Sequence, residues 1–268
     1  MVNFATAPLA SLTDVTLANN VRLRYVRQGP STGPAIIMLH GYTDSSFSFS
    51  RVMPLLPPEL RVVAPDQRGH GDSDKPAAGY RIQDLADDVL HMMQALDIPS
   101  ATIVGHSMGS FVAQAVAERA PERVTGLILL GSAAAATNDA IRGLRFMIEW
   151  LSDPVDSAFV RDFQYSTIAR PVPDAFMEAA IANSLRMPAA IWKELLTGLM
   201  GFEPVLPRPK VRVLVLGGNR DAVFSPAEQI ALAQQYPFSK LHLVDGVGHS
   251  LQWEQPETFV KALMDFLR

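Results

Sequence analysis

Short apolar runs separated by helical patterns are the feature of this sequence that most restricts its fold. Seven runs rich in valine, isoleucine and leucine recur along the chain: VRLRYV, AIIML, RVVAP, ATIVG, RVTGLILL, VRVLVLG and KLHLV. From residue 35 onward, most of these runs are separated by helical patterns. Continuous apolar strands that alternate with helices are typical of a mostly parallel sheet covered on both faces. The sequence therefore predicts an α/β fold.

The predicted helices occupy the segments between these runs. The clearest one spans 82–97, where apolar residues recur at spacings of three and four. Further helices are predicted at 47–56, 107–119, 226–236 and 256–267.

The alternation of strands and helices is interrupted between residues 137 and 206. This stretch has helical character, is rich in aromatic residues and contains no obvious buried strand. We expect a helical cap at 137–206, inserted into a core domain made of 1–136 and 207–268. The cap is either an ordinary helical layer or a lid over a pocket, and we favour the lid because ligands bind at strand ends in such sheets.

Four aromatic residues of the insertion are candidates for the pocket side of this lid: Phe146, Trp150, Phe163 and Trp192. An aromatic residue in such an insertion is more often part of the apolar interior of the cap than a substrate contact. Their assignment to substrate binding is an expectation from composition alone.

The segment TIVGHSMGSFVAQAV, residues 102–116, places Ser107 between an apolar strand and a helix. A serine at this point could simply cap the helix. However, a sharp turn from strand to helix strains the corner residue and requires very small neighbours, which Gly105 and Gly109 provide. The helix would then direct its first amides, beginning near Met108, at the serine hydroxyl, where they can stabilise negative charge. This pattern predicts a nucleophile elbow.

A serine nucleophile needs a base, and the base needs a carboxylate to orient it. Of the six histidines, His249 lies on a glycine-rich loop after the last predicted strand, where it can reach the edge of the sheet. Asp221 follows the glycine pair that closes VRVLVLGG and is the favoured carboxylate. Asp245 and Asp139 remain alternatives. The preferred order is Ser, Asp, His along the chain, as in α/β-hydrolases.

Taken together, these segments resemble the α/β-hydrolase-fold serine hydrolases that carry a cap. LHGYTDSS resembles their oxyanion loop, PDQRGHGDSDKP at 65–76 resembles a turn after a strand, and GHSMGS, GGNRDAVF and GVGHS match the nucleophile, acid and base segments. The resemblance implies a mostly parallel eight-stranded sheet with the cap after the sixth strand. It also implies Ser107, Asp221 and His249 as the catalytic residues and the backbone amides of Tyr42 and Met108 as the oxyanion hole.

Serine at position 107 indicates acyl transfer, because the epoxide hydrolase and haloalkane dehalogenase branches of the family use aspartate there. The expected activity is a carboxylesterase that needs neither a metal nor an organic cofactor. A lactonase and a carbon–carbon bond hydrolase would use the same three residues. A ligand receptor that retains this fold is a more remote alternative.

Composition restricts the partners and the location. The net charge of −4 and the pI of about 5.9 offer no basic surface for nucleic acid. The absence of cysteine excludes disulfides, thiolate zinc sites and a cysteine nucleophile. No apolar run reaches the roughly 18 residues of a membrane span, and no secretory signal pattern is present. We expect a cytoplasmic monomer or homodimer that acts on a small-molecule ester or lactone.

Overall fold

An eight-stranded sheet organises the protein, whose computed structural model describes residues 11–268. The strands are β1 (Ser11–Thr16), β2 (Arg22–Gln28), β3 (Ala35–Leu39), β4 (Arg61–Pro65), β5 (Ala101–His106), β6 (Val124–Leu130), β7 (Val213–Gly218) and β8 (Ser239–Val244). Their spatial order is β1-β2-β4-β3-β5-β6-β7-β8. The β1–β2 and β2–β4 pairs are antiparallel and the others are parallel, so the prediction of a mostly parallel sheet is confirmed. Residues 1–10, which belong to the expected core domain and to the start of the chain where no secretory signal is expected, lie outside the described residues.

Burial on both faces explains the continuous apolar runs of the central strands. Every residue of β3, β4 and β5 is buried. Alternate residues of β3 pack into separate apolar clusters, with Ile37 and Leu39 in one and Ile36 and Met38 in the other. A strand covered on both faces reads as a continuous apolar run. The edge strand β1 is largely exposed and has no such run.

The helices outside residues 137–206 follow four of the five predictions closely. They are α1 (Ile82–Ala95), α2 (Met108–Arg119), α7 (Pro226–Gln234) and α9 (Pro256–Leu267), and the single turn α8 (Leu251–Glu254) precedes α9. The helix predicted at 47–56 is wrong. That segment forms two 3-10 turns, Ser46–Phe49 and Met53–Leu55, and the backbone of proline cannot donate the hydrogen bond that a continuous helix would need at Pro54.

Four further helices lie between β6 and β7, in the stretch predicted to be helical. They are α3 (Asp139–Ile148), α4 (Ser157–Ser166), α5 (Asp174–Ser184) and α6 (Ala189–Met200). Helix α6 contacts the loop after β3, where the Tyr42 hydroxyl donates a 2.5 Å hydrogen bond to the Trp192 carbonyl. Within residues 11–268, none of the helices has the length and apolar character needed to cross a bilayer.

Strand β5 and helix α2 pack backbone against backbone. A Cβ atom added to Gly105 would lie 2.3 Å from the Gly109 carbonyl oxygen and 2.6 Å from the Ser110 Cα. A Cβ atom on Gly109 would lie 2.3 Å from the Leu39 carbonyl oxygen. The predicted requirement for very small residues on both sides of Ser107 is therefore confirmed.

Replacing Gly105 by alanine is expected to lower the free energy of unfolding by about 1–3 kcal/mol or more, because the added methyl group overlaps backbone atoms that cannot move aside. Urea titration of both proteins measures this difference. Gly143→Ala is a matched control, since Gly143 lies inside α3 and an added Cβ meets none of the described atoms within 4 Å. It should raise stability by about 0.5–1 kcal/mol. Equal stability of Gly105→Ala and the wild-type protein would contradict the close packing.

Candidate active site

Ser107 occupies the corner between β5 and α2 in a strained backbone conformation. Its φ is 49° and its ψ is −120°, in the region that residues other than glycine rarely adopt. Hydrogen bonds hold the corner on both sides. The Ser107 amide donates to the Leu130 carbonyl at 2.9 Å, and the Ser110 amide and hydroxyl donate to the Ser107 carbonyl at 2.8 and 2.6 Å. The strain is thus supported by the surrounding structure.

His249 and Asp221 form a buried pair at the same edge of the sheet. His249 follows β8 and Asp221 follows β7, and their side chains meet with Nδ1 at 2.9 Å from Oδ2 and 3.1 Å from Oδ1. Both side chains are almost fully buried. Because an ionised carboxylate only accepts hydrogen bonds, the proton of the neutral His249 ring is on Nδ1. The lone pair on His249 Nε2 is then available to accept a second proton.

Hydrogen bonds from the protein also fix the Asp221 carboxylate. Its Oδ1 accepts from the amides of Val223 and Phe224 at 2.8 and 2.9 Å, and its Oδ2 accepts from Gln229 Nε2 at 3.3 Å. The carboxylate is therefore held in place independently of the histidine.

The alternative carboxylates contact other groups. Asp245 accepts a hydrogen bond from Asn219 Nδ2 at 2.8 Å. Asp139 is paired with Arg142, and its side chain is 96% exposed. The structure thus brings Asp221 to His249 and leaves both alternatives outside this contact.

A cavity of about 180 Å³ contains both Ser107 and His249 in its wall. Much of the remaining wall is apolar and includes Leu144, Phe163, Leu196, Leu199 and Trp253. Tyr42 lines the cavity from the loop after β3, while Met108 is buried as the first residue of α2. Among the described residues that line it, none is lysine or arginine.

The four aromatic candidates of the insertion separate into two groups. Phe163 lines the cavity, and Trp192 is fully buried behind it, with ring centroids 5.6 Å from Phe163 and 5.4 Å from Tyr42. Trp192 does not fit the expectation, since the cavity wall does not include it. Phe146 and Trp150 do not fit it either, since they are 73% and 82% exposed and the wall does not include them.

The placement of Phe146 follows from the helical period of α3. The helix buries Ile141, Leu144 and Ile148, and Phe146 lies about 200° around the axis from Leu144 at 3.6 residues per turn. Aromatic content suggested a pocket residue here, but the face of the helix decides which side chains reach the pocket.

Two polar residues of the cavity, Asp44 and His106, were not identified from the sequence. Burial raises the pKa of Asp44 to about 7 and lowers that of His106 well below its usual value. Asp44 lies within LHGYTDSS and His106 within GHSMGS, which were assigned to other roles. No sequence pattern marks either residue, because each reaches the cavity through contacts between segments that are far apart in the chain.

The turn at 65–76 has a structural role. Asp66 accepts hydrogen bonds from the Ser46 amide at 2.8 Å and the Asp72 amide at 2.9 Å. These two hydrogen bonds connect the segment that follows β4 to the 3-10 turn at Ser46–Phe49.

Comparisons with known proteins agree with this architecture. An esterase from Exiguobacterium antarcticum has the same fold with a TM-score of 0.86, at 22% identity, over 95% of this chain and 98% of its own. A thermophilic esterase from Thermogutta terrifontis has a TM-score of 0.83, at 24% identity, over 96% of this chain and 98% of its own. At these identities the likeness concerns the fold alone.

Sequence comparison identifies the family. A 2-hydroxymuconate semialdehyde hydrolase from Pseudomonas sp. is 30% identical over 88% of this chain and 87% of its own length. The family model described as alpha/beta hydrolase fold matches residues 34–193, more than half of the chain. The chain therefore belongs to the alpha/beta hydrolase fold family.

Proposed function

We propose that the protein is a serine hydrolase that cleaves carboxylic esters of small to medium apolar compounds through an acyl-enzyme intermediate. Ser107 is the nucleophile, His249 the general base and Asp221 the carboxylate that orients it. The observation that carries this proposal is the buried His249–Asp221 pair, whose histidine lines one cavity together with a serine held at a strained corner.

In the first half of the reaction, the Ser107 oxygen attacks the ester carbonyl while His249 Nε2 takes the hydroxyl proton. The tetrahedral intermediate collapses, the alcohol leaves with that proton, and the acyl group remains on Ser107. Asp221 keeps Nδ1 protonated and stabilises the imidazolium. In the second half, His249 activates water, which releases the acid and restores the serine.

Negative charge on the carbonyl oxygen needs stabilisation during both halves. We assign this to the backbone amides of Tyr42 and Met108, and the amino end of α2 adds its dipole. An oxyanion-hole donor of this kind typically contributes about 3 kcal/mol to the stability of the transition state.

The inserted helices act in this proposal as the lid of the site. Residues 137–206 form the cap over a core made of 1–136 and 207–268. Two contacts support this role, since the Thr167 carbonyl at the end of α4 accepts the His249 amide at 3.0 Å and Phe163 lines the cavity. The apolar wall, without lysine or arginine among its described residues, favours uncharged substrates.

Hydrolysis of a carbon–carbon bond by the same residues is a second candidate. It is favoured by the 30% identity to an enzyme named for a semialdehyde substrate and not for an ester. The two candidates differ in the substrate and not in the catalytic residues, so a panel of esters, lactones and vinylogous diketones of graded size separates them.

Ser107→Ala is expected to lower kcat for 4-nitrophenyl butyrate by at least about 10³-fold, because the acyl-enzyme can no longer form. A fluorophosphonate probe should label the wild-type protein at Ser107, as located by peptide mass spectrometry. An unchanged thermal midpoint of the variant serves as the control for folding. Retained turnover, or a label on another residue, would reject the assignment.

Asp221→Asn should lower kcat by roughly 10⁴-fold, because the amide no longer favours the tautomer with the proton on Nδ1. Steady-state kinetics with the same ester measure the effect. Asp245→Asn removes one carboxylate from a nearby loop outside the His249 contact and should leave kcat within about twofold. Similar losses in the two variants would argue against a specific role for Asp221.

A further inference from the structure

Two polar atoms of the cavity wall face a common space beside Gly41. Asp44 Oδ2 and His106 Nδ1 are 3.9 Å apart, which is too far for a direct hydrogen bond. A Cβ atom added to Gly41 would lie 3.1 Å from the first and 2.9 Å from the second. The glycine therefore leaves open the space towards which both atoms point, and all three residues line the cavity.

His106 contributes a hydrogen-bond acceptor to this space. Its Nε2 is 3.1 Å from the His249 carbonyl oxygen, which can only accept, so Nε2 carries the proton. Burial keeps the ring neutral by lowering its pKa well below the usual value, and Nδ1 therefore has a free lone pair. The residue is 2% exposed, and Nδ1 has no hydrogen-bond partner among the described residues. A buried acceptor without a donor is costly and indicates a missing partner.

Asp44 contributes a second acceptor. Its Oδ1 accepts a hydrogen bond from Gln164 Nε2 at 3.3 Å, and the same amide nitrogen donates to Ser184 Oγ at 2.8 Å. Both hydrogens of the Gln164 amide are thus used. The Gly41 amide and the Ser48 side chain also form hydrogen bonds with the Asp44 carboxylate. The two oxygens of a carboxylate together accept about four hydrogen bonds, so Asp44 can accept one more from a ligand. A nitrogen with two hydrogens fits between the two acceptors, at about 2.9 Å from each.

We propose that Asp44 and His106 form a subsite for an N–H₂ group of the substrate, such as a primary amide, and that this subsite disfavours carboxylates. The inference rests on the proposed function, because the subsite shares the cavity of Ser107 and His249. It narrows the substrate class to neutral compounds that carry a nitrogen donor.

The charge of the subsite depends on pH. Burial raises the pKa of Asp44 to about 7, so its carboxyl group is neutral well below pH 7 and anionic well above it. Discrimination against carboxylate ligands should therefore increase as the pH rises through 7. The titratable groups that face Asp44 are His106 and His249, and Asp221 lies behind His249. Any charge on His249 affects ligand binding in the wild-type protein and in an Asp44 variant in the same way. A difference in pH dependence between the two proteins is therefore caused by Asp44.

Three ligands of nearly equal shape test the proposal: hexanamide, hexanoate and 2-heptanone. They end in a nitrogen donor, an anion and a methyl group without a donor. Their inhibition constants against 4-nitrophenyl butyrate are measured from pH 6 to 8.5. At pH 8.5 the wild-type protein should bind hexanamide at least about tenfold more tightly than hexanoate. It should also bind hexanamide about three- to tenfold more tightly than 2-heptanone.

Asp44→Asn replaces a hydrogen-bond acceptor of the subsite with a donor and keeps the shape of the side chain. Gln164 retains its acceptor, which places the new amide nitrogen where Oδ2 was. The ratio of hexanoate to hexanamide inhibition constants should fall by at least about tenfold and lose its Asp44-dependent rise with pH. Asp245→Asn, which removes the same charge outside the cavity, should keep the wild-type ratios.

Equal binding of the three ligands by the wild-type protein would overturn the proposal and leave a water molecule as the occupant. Unchanged ratios in Asp44→Asn would also overturn it. If that variant does not fold, the ratios of the inhibition constants of the wild-type protein and their pH dependence still test the proposal. Failure of the proposed function is seen separately, as turnover that persists in Ser107→Ala. Calorimetry of the three ligands with that variant tests the subsite without turnover.

Discussion

The close approach of β5 and α2 is the constraint on which the rest of the site depends. With hydrogen atoms in place of side chains at Gly105 and Gly109, backbone meets backbone and the chain turns from strand to helix within one residue. That turn forces Ser107 to a φ of 49°. Such strain persists only when neighbouring structure fixes it, and the hydrogen bonds to Leu130 and Ser110 do so.

Parallel pairing then determines what surrounds the serine. The carboxyl ends of β3, β5, β7 and β8 lie at one edge of the sheet, so the loops that follow them meet there. This is how Asp221 and His249, 28 positions apart, come to share a hydrogen bond of 2.9 Å. Burial of the pair makes each group depend on the other, because an unpartnered polar group there would be costly.

Burial also changes the pKa values of Asp44 and His106, which do not form a direct hydrogen bond with each other. Both side chains have lost contact with water, so the pKa of the Asp44 carboxyl group rises and that of the His106 imidazole falls. Both changes favour the uncharged form. His106 Nδ1 has also gained no hydrogen-bond partner among the described residues. Polar atoms left in this state beside a cavity are suited to recognise a complementary group on a ligand.

The sequence by itself determined the sheet and the segments that carry the site, because apolar runs, paired glycines and turn residues express local requirements of the backbone. It did not determine the 3-10 turns at 46–55, the outward positions of Phe146 and Trp150, or the polar pair Asp44 and His106. Those depend on contacts between residues far apart in the chain, and on which face of a helix meets the core. Only the tertiary structure decides such contacts, since local propensity is the same on either face of an element.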